Sequence, residues 1–304
     1  MKALFSTPGA PRSVDVREVD EPRPAPHEAL IAVVAASLNR GELALLPSRP
    51  DWRPGQDVAG TVVAAAADGS GPPPGTRVIA VVDQAGWAER VAAPTTRLAV
   101  LPERVSFSAA ATLGVAGLTA LRGLRLGGSL LGAHVLVTGA SGGVGHFAVQ
   151  LAHVAGAHVT AVVGRPERAS KLRELGADRV VQETEDLEPR FDLVMEGVGG
   201  PSLERSLHAL NRNGLVVLYG RVSDHSARVA LPDFRGRPAR IQAFFIYQTD
   251  IETFGADLAF LAGLLERGQI EAKVGLEVSW RDLDRGITAL RDREVHGKVV
   301  LRID

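Results

Sequence analysis

The stretch VLVTGASGGVGHFA, Val135 to Ala148, runs from β-prone residues into glycines at 139, 142, 143 and 145 and then into helical spacing. Glycine lets a chain turn tightly and lets a pyrophosphate approach main-chain N–H groups. The helix that follows adds unpaired N–H donors and the positive end of its dipole. A glycine pattern alone is weak evidence. Here a buried strand precedes it, a helix follows and another strand comes at the expected distance. The segment therefore reads as a dinucleotide phosphate turn centred on Ser141, Gly142, Gly143 and Val144.

Working outward, the alternation of strand and helix continues. Strands are expected at 135–138, 158–163, 179–181, 193–195 and 215–218, and a closing one at Ile241 to Tyr247. Helical spacing fills 144–155, 167–175 and 202–210. Parallel strands need such crossovers, so this part is a doubly wound α/β sheet of the Rossmann type. The strand over 158–163 runs into Val163-Gly164-Arg165-Pro166-Glu167-Arg168. An NAD site usually carries an acid there for the ribose 2′-hydroxyl. This chain offers Gly164 with Arg165 and Arg168 instead, and guanidinium matches a 2′-phosphate through charge-assisted, bidentate bonds. NADPH is the cofactor expected.

The first hundred residues have a different texture: short apolar runs such as 29–34 and 60–63 between Pro and Gly punctuation. Asp68 to Gly75, DGSGPPPG, is expected to be an exposed loop leading into a strand at 77–82. Together these predict a small β-rich barrel. Two helical stretches, 109–113 and 118–124, lead into the α/β part. After Asp250 come a helix at 254–266, a strand around 277–279, a helix at 282–291 and a strand at 297–303, a tail that can extend either domain.

Composition excludes several classes. Net charge is −1, which is no nucleic-acid footprint. The chain has no cysteine, so disulfides, thiolate zinc sites, iron–sulfur clusters and cysteine nucleophiles are ruled out. No apolar run approaches membrane-spanning length, and MKALFSTPGA lacks the pattern of a secretion signal. A cytoplasmic protein is expected.

With these residues in hand, the chain resembles the zinc-free, quinone oxidoreductase-like branch of the medium-chain dehydrogenase/reductase superfamily. Besides the glycine turn, the resemblance rests on Pro54-Gly55-Gln56-Asp57-Val58-Ala59-Gly60, Gly86-Trp87-Ala88-Glu89, the segment GVAGLTAL from Gly114 to Leu121, and Gly297-Lys298-Val299-Val300-Leu301. It implies a GroES-like catalytic domain over residues 1–115 that returns at 248–304, a Rossmann NADPH-binding domain over 116–247, a cleft between them, and a homodimer. Zinc-dependent relatives carry ligands at positions matching Asn39, Gln56 and about Val115; these three side chains do not make a zinc site. No metal is expected, and reduction of an electron-poor acceptor becomes the natural chemistry.

The resemblance also carries site residues. Gly220 and Arg221 match positions on the adenosine side, Phe244, Phe245 and Ile246 positions near the nicotinamide, and Thr119 a nicotinamide-proximal threonine. Residues of the last trio equally suit a strand core. Asn39 is the catalytic candidate: its amide would donate to a substrate carbonyl as charge develops, although asparagine also favours turns. Some relatives offer a tyrosine acid shortly after this asparagine, where this chain has Ala44. The loop from Leu43 to Arg53, carrying Trp52, looks short. His146 reads as structural, and His225 as a neighbour of the nucleotide. Three functions follow: an NADPH-dependent reductase of quinones or α,β-unsaturated carbonyls, a secondary-metabolism enoyl reductase or cyclase on the same scaffold, and a low-turnover NADPH-binding protein.

Overall fold

The structure is a computed structural model and describes residues 1–9, 13–182, 187–188, 190–235 and 237–304. Its contacts divide the chain into two compact units: residues 1–118 with 250–268 and 272–304, and residues 119–249 with 269–271.

The first unit opens with β1 (Lys2–Ser6) and β2 (Val14–Glu18), an antiparallel pair. There follow β3 (Glu28–Ser37), α1 (Arg40–Leu45), β4 (Asp57–Ala64), β5 (Arg77–Val81), β6 (Arg90–Pro94), β7 (Leu98–Val100) and α2 (Phe107–Ala111). Ser106 caps α2, its Oγ accepting from the Ala109 N–H at 3.1 Å, a contact worth about 1 kcal/mol. A single π-helical turn, Leu113–Gly117, then leads to α3 (Leu118–Arg125).

The second unit continues with β8 (His134–Val137), α4 (Gly145–Val154), β9 (His158–Val163), α5 (Ala169–Glu174), β10 (Arg179–Gln182), β11 (Phe191–Glu196), α6 (Pro201–His208), β12 (Leu210–Leu218) and β13 (Arg240–Ala243). All its pairings are parallel, in the order β10-β9-β8-β11-β12-β13. From β8 the chain goes one way to β9 and later resumes on the other side with β11. That reversal creates a topological switch point beside the carboxyl end of β8, where open parallel sheets bind ligands.

The chain then returns to the first unit with α7 (Phe254–Glu266), β14 (Val274–Ser279), α8 (Leu283–Arg291) and β15 (Lys298–Arg302). β15 lies antiparallel to β3, Val300 opposite Ser37, so the tail completes a seven-stranded sheet in the order β14-β15-β3-β4-β5-β7, with β6 also on β3. Trp87 and Trp280, 0% and 2% exposed, anchor its core. The fold is a GroES-like β-rich unit plus a Rossmann-like parallel sheet.

Several local expectations change. Leu210 is not the end of a helix but the first residue of β12, because its pairing with Phe191 buries it in the sheet. The closing strand stops at Ala243, and Ile246–Gln248 form a 3-10 turn in which the Gln248 N–H donates to Phe245 O and the Thr249 Oγ1 donates to Ile246 O. The helix expected from Glu167 starts as a 3-10 turn at Pro166–Arg168 and becomes α-helical at Ala169. Residues 43–45 belong to α1 and Leu46–Ser48 to a 3-10 turn, so the expected loop to Arg53 is largely helical at its start. Strands β1, β2, β6 and β7, each of five residues or fewer, are not among the strands expected from the sequence.

Candidate functional site

In the second unit, β8 ends at Val137 and the chain turns through 138–144 before α4 begins at Gly145. Two glycines there are demanded by geometry. Gly139 sits at φ +58°, a region that favours glycine. A Cβ at Gly145 would overlap the Gly139 carbonyl oxygen and the Ala140 backbone, so only glycine lets the helix start so close to the strand. The turn is held by Gly142 N–H donating to Gly139 O at 2.9 Å and Ala140 N–H donating to Val162 O at 3.1 Å.

Sequence-distant candidates meet at this turn. Arg168 Nη1 donates to Ser141 Oγ at 3.1 Å, which sets the guanidinium against the glycine turn. Burial, and then the neighbouring Arg165 guanidinium, push the Arg168 group below its ordinary range. Glu167, between the two arginines in sequence, opposes that lowering. Gly164, between β9 and the arginines, is exposed, and a Cβ there would meet open space. These features fit a phosphorylated dinucleotide: a backbone-donor turn, a serine hydroxyl and paired guanidiniums, with no acidic residue in the run from Val163 to Pro166.

The remaining candidates of this unit are spread along the carboxyl ends of its strands. Gly220 packs against Gly197, and Arg221, whose Cγ lies beside Gly199, pairs with Asp224 at 2.8 Å in solvent. His225 packs beside Gly200. Phe244 and Ile246 are buried, whereas Phe245 is 63% exposed, so the core explanation holds for two of the trio and fails for Phe245. Thr119 is buried in α3. His146 is 2% exposed, with Nδ1 3.1 Å from Gly142 O and its ring 4.0 Å from Phe147, which makes it a brace of the turn. Glu196, at the end of β11, was not singled out by sequence. It is fully buried and accepts from Val198 N at 2.8 Å, Gly199 N at 2.9 Å and Ser206 Oγ at 2.7 Å, fixing the loop before α6. An acid between a strand and the glycines of Met195-Glu196-Gly197-Val198-Gly199-Gly200 was the available signal.

In the first unit, Asn39 is the N-cap of α1 and half-buried. It joins a polar cluster that sequence reasoning missed. Asp57, at the start of β4 and fully buried, accepts from Ser37 Oγ at 2.6 Å, Asn39 Nδ2 at 2.9 Å and Val115 N at 2.7 Å. Lys298, opening β15 and 4% exposed, reaches Asp57 Oδ2 at 3.3 Å, Asn39 Oδ1 at 2.5 Å and Leu38 O at 2.9 Å. Glu42, 1% exposed, accepts from Asn39 N at 2.9 Å and Gly55 N at 3.0 Å. Burial pushes its carboxyl up to about 8; Asp57 adds to the rise, while Lys298 and the Asn39 groups oppose it. The π-helical turn is part of this construction. A Cβ on Gly114 would overlap the Asp57 carboxylate, so the glycine lets the Val115 N–H close on it. Asp57 and Lys298 lie inside motifs quoted for the resemblance, but nothing in their spacing shows that they pair.

Among the described residues, no group of three or more His, Cys, Asp or Glu side chains is arranged to hold a metal ion, and no helix is long and apolar enough to cross a membrane.

Residues 25–120 match the model of the alcohol dehydrogenase GroES-like domain, and residues 143–263 that of the zinc-binding dehydrogenase. A chloroplast envelope quinone oxidoreductase homolog of Arabidopsis thaliana is 35% identical over 211 residues, covering 64% of this chain and 63% of that protein. The chain thus spans less than two thirds of the plant relatives it matches. Acryloyl-coenzyme A reductase of Metallosphaera sedula is 28% identical and covers 99% of each chain. A mycobacterial protein solved in complex with NADPH has a TM-score of 0.88 at 26% identity, over 100% of both chains.

Proposed function

The chain belongs to the medium-chain dehydrogenase/reductase superfamily, and from that premise we propose that it is an NADPH-dependent reductase of quinones or α,β-unsaturated carbonyls, acting without zinc. The observation that carries the cofactor is the Arg168–Ser141 contact at the glycine turn. Ser141, Gly143 and Val144 would offer main-chain donors to the pyrophosphate, with Gly142, whose N–H goes to Gly139 O, shaping the turn, and Arg165 and Arg168 would hold the 2′-phosphate. Gly164, Gly220 and Arg221 would line the adenosine end, and Thr119, Phe244, Phe245 and Ile246 the nicotinamide. When bound, NADPH supplies a hydride.

The acceptor side rests on Asn39. Its amide N–H would donate to the carbonyl or quinone oxygen, where negative charge grows as the neighbouring carbon is reduced. Asn39, Gln56 and Val115 stand at the positions that match zinc ligands of relatives, and none brings thiolate or imidazole. With Ala44 in place of a tyrosine, protonation of the product falls to solvent in this reading. The similarity to an acryloyl-coenzyme A reductase over nearly the whole chain supports a second reading, in which the acceptor is an unsaturated thioester. Assembly as a homodimer belongs to the same proposal and is checked by light scattering.

The test is NADPH oxidation by the purified protein against a panel of quinones, enones and an unsaturated thioester. Turnover on quinones or enones supports the first reading, and turnover on the thioester alone the second. Tight NADPH binding with no acceptor would leave a binding protein. Arg168→Ala and Arg165→Ala should each weaken NADPH about tenfold or more while sparing NADH. Equal weakening of both coenzymes would remove the 2′-phosphate assignment.

A further inference from the structure

Arg53 lies in the segment between α1 and β4, directly before Pro54-Gly55-Gln56. Its Nε and Nη2 are covered by protein and hydrogen-bond to nothing. These two nitrogens flank one edge of the planar guanidinium and their hydrogens point the same way. That edge is the fork which takes both oxygens of one carboxylate or phosphate. No acid among the described residues reaches it. Burial alone pushes the Arg53 group below its ordinary range, and Asp15, opposite Phe5 in the β1–β2 pair, makes no ion pair with it. Charged donors left without an acceptor are costly, and folded proteins keep few of them.

The main chain here is fixed, while the guanidinium is not. Ser6 N–H donates to Trp52 O at 2.8 Å, and Ala85 N–H to Arg53 O at 2.8 Å. The guanidinium carbon lies 5.9 Å from the centre of the Phe5 ring, at the outer limit of a cation–π contact. Turning the head away from that ring breaks no hydrogen bond. The neighbouring arginines leave a surplus of positive charge. Arg17, over the same ring at 4.8 Å, pairs with Asp51 at 2.5 Å. Arg49, exposed over Trp52 at 5.6 Å, has no ion pair among the described residues. Three cations therefore share one acid. The segment is also fastened to Asn39, because Gly55 N–H and Asn39 N–H donate to the two oxygens of Glu42, at 3.0 and 2.9 Å.

We propose that Arg53 is a specificity residue for the acceptor: its Nε–Nη2 edge turns from Phe5 to clasp a carboxylate or phosphate carried by the substrate, and Arg49 adds charge that attracts such a substrate. The inference rests on the reductase reading and deepens it, making the preferred acceptor an anionic one. An anionic acceptor supplies the partner that this edge lacks within the chain, whereas a neutral one leaves it unpaired.

The experiment uses the full-length protein with NADPH and acceptors matched in pairs. Acetylacrylate is set against its methyl ester, and crotonyl-coenzyme A against its N-acetylcysteamine analogue, which lacks the phosphates. In the wild type the anionic member of at least one pair should have the higher kcat/KM by ~10- to 100-fold, carried mainly in KM. Preference in the first pair alone assigns a carboxylate, and in the second alone a phosphate. Arg53→Met should bring the ratio near one, and Arg53→Lys, a point charge without a fork, should recover part of it. Each ratio is taken within one variant, so a general loss of activity cancels. No preference in either pair, or a ratio unmoved in Arg53→Met, overturns the proposal. Both anionic acceptors are also titrated by calorimetry into protein saturated with NADP+, where no hydride can be transferred and, the chain having no cysteine, no thiol can be alkylated. The Kd of the preferred one should rise ~10-fold or more in Arg53→Met; unchanged affinity for both overturns the assignment. A wild type that turns over none of the four acceptors overturns the reductase reading, and the titration then decides on Arg53 by itself.

Discussion

The glycine turn of the second unit and the polar cluster of the first gather polar groups by opposite means. The turn draws its polar groups from one contiguous run, 138–145, with Arg168 brought to Ser141 from the next crossover. The cluster uses side chains from β3, α1, β4 and β15 and a main-chain N–H from the π-helical turn, joined by hydrogen bonds that span as many as 260 positions. A backbone site depends on local conformation and tolerates most side-chain changes around it. A side-chain cluster buried in a low dielectric is only as good as its least satisfied member.

That contrast orders the expected effects of substitution. Asp57→Ala should be the most damaging, because it strands the Lys298 ammonium in the interior. Breaking a buried pair on one side costs about 3–5 kcal/mol, read as a fall in unfolding free energy in urea. A loss under 1 kcal/mol would mean that the cluster is less dry than it looks. Gly145→Ala comes next. The added methyl overlaps the Gly139 carbonyl, so the helix must withdraw from the turn, costing about 1–3 kcal/mol. NADPH binding, followed by titration calorimetry, should weaken with it, whereas Gly164→Ala, which fills open space, should leave stability nearly unchanged.

A third effect appears only as pH dependence. The folded Glu42 carboxyl is pushed up to about 8 from an ordinary 4.5. Between those values the folded protein holds a proton that the unfolded chain has lost. Glu42 therefore contributes most stability below pH 4.5, and that contribution is lost as pH rises toward 8, with a slope of at most about 1.4 kcal/mol per pH unit. Unfolding curves across this window should be flatter for Glu42→Gln than for the wild type; parallel curves would place the carboxyl in a wetter setting. The smallest effect is expected at Arg221. Its ion pair with Asp224 is 71% and 83% exposed, so Arg221→Ala should move stability by no more than ~0.5 kcal/mol. Its NADPH affinity should fall less than that of Arg168→Ala.

The second unit was the more legible, for physical reasons. Its strands are apolar runs separated by helical crossovers, a pattern written in period and punctuation, and β8, β9, β11 and α4 lie close to their expected places. Errors fell where pairing overrode local preference: Leu210 was drawn into β12 by Phe191, and the aromatic run after Ala243 left the sheet. The first unit was read only in outline. Its edge strands are short, and α7 was placed from Phe254 to Glu266 although the sheet joined by β14 and β15 stayed open. The register of β15 on β3 decided that question.

At the candidate sites the same division holds. Sequence by itself pointed to the glycine turn, the arginines at the next strand end and the lack of thiolate ligands, because each is a property of neighbouring residues or of residue type, whereas Asn39 became a candidate through the resemblance. Tertiary structure alone decided that Arg168 reaches Ser141, that Phe245 is exposed, and that Asp57, Glu42 and Lys298 surround Asn39. Residues distant along the chain become partners only when sheet register and helix packing bring them within hydrogen-bond reach, and no local pattern encodes that distance.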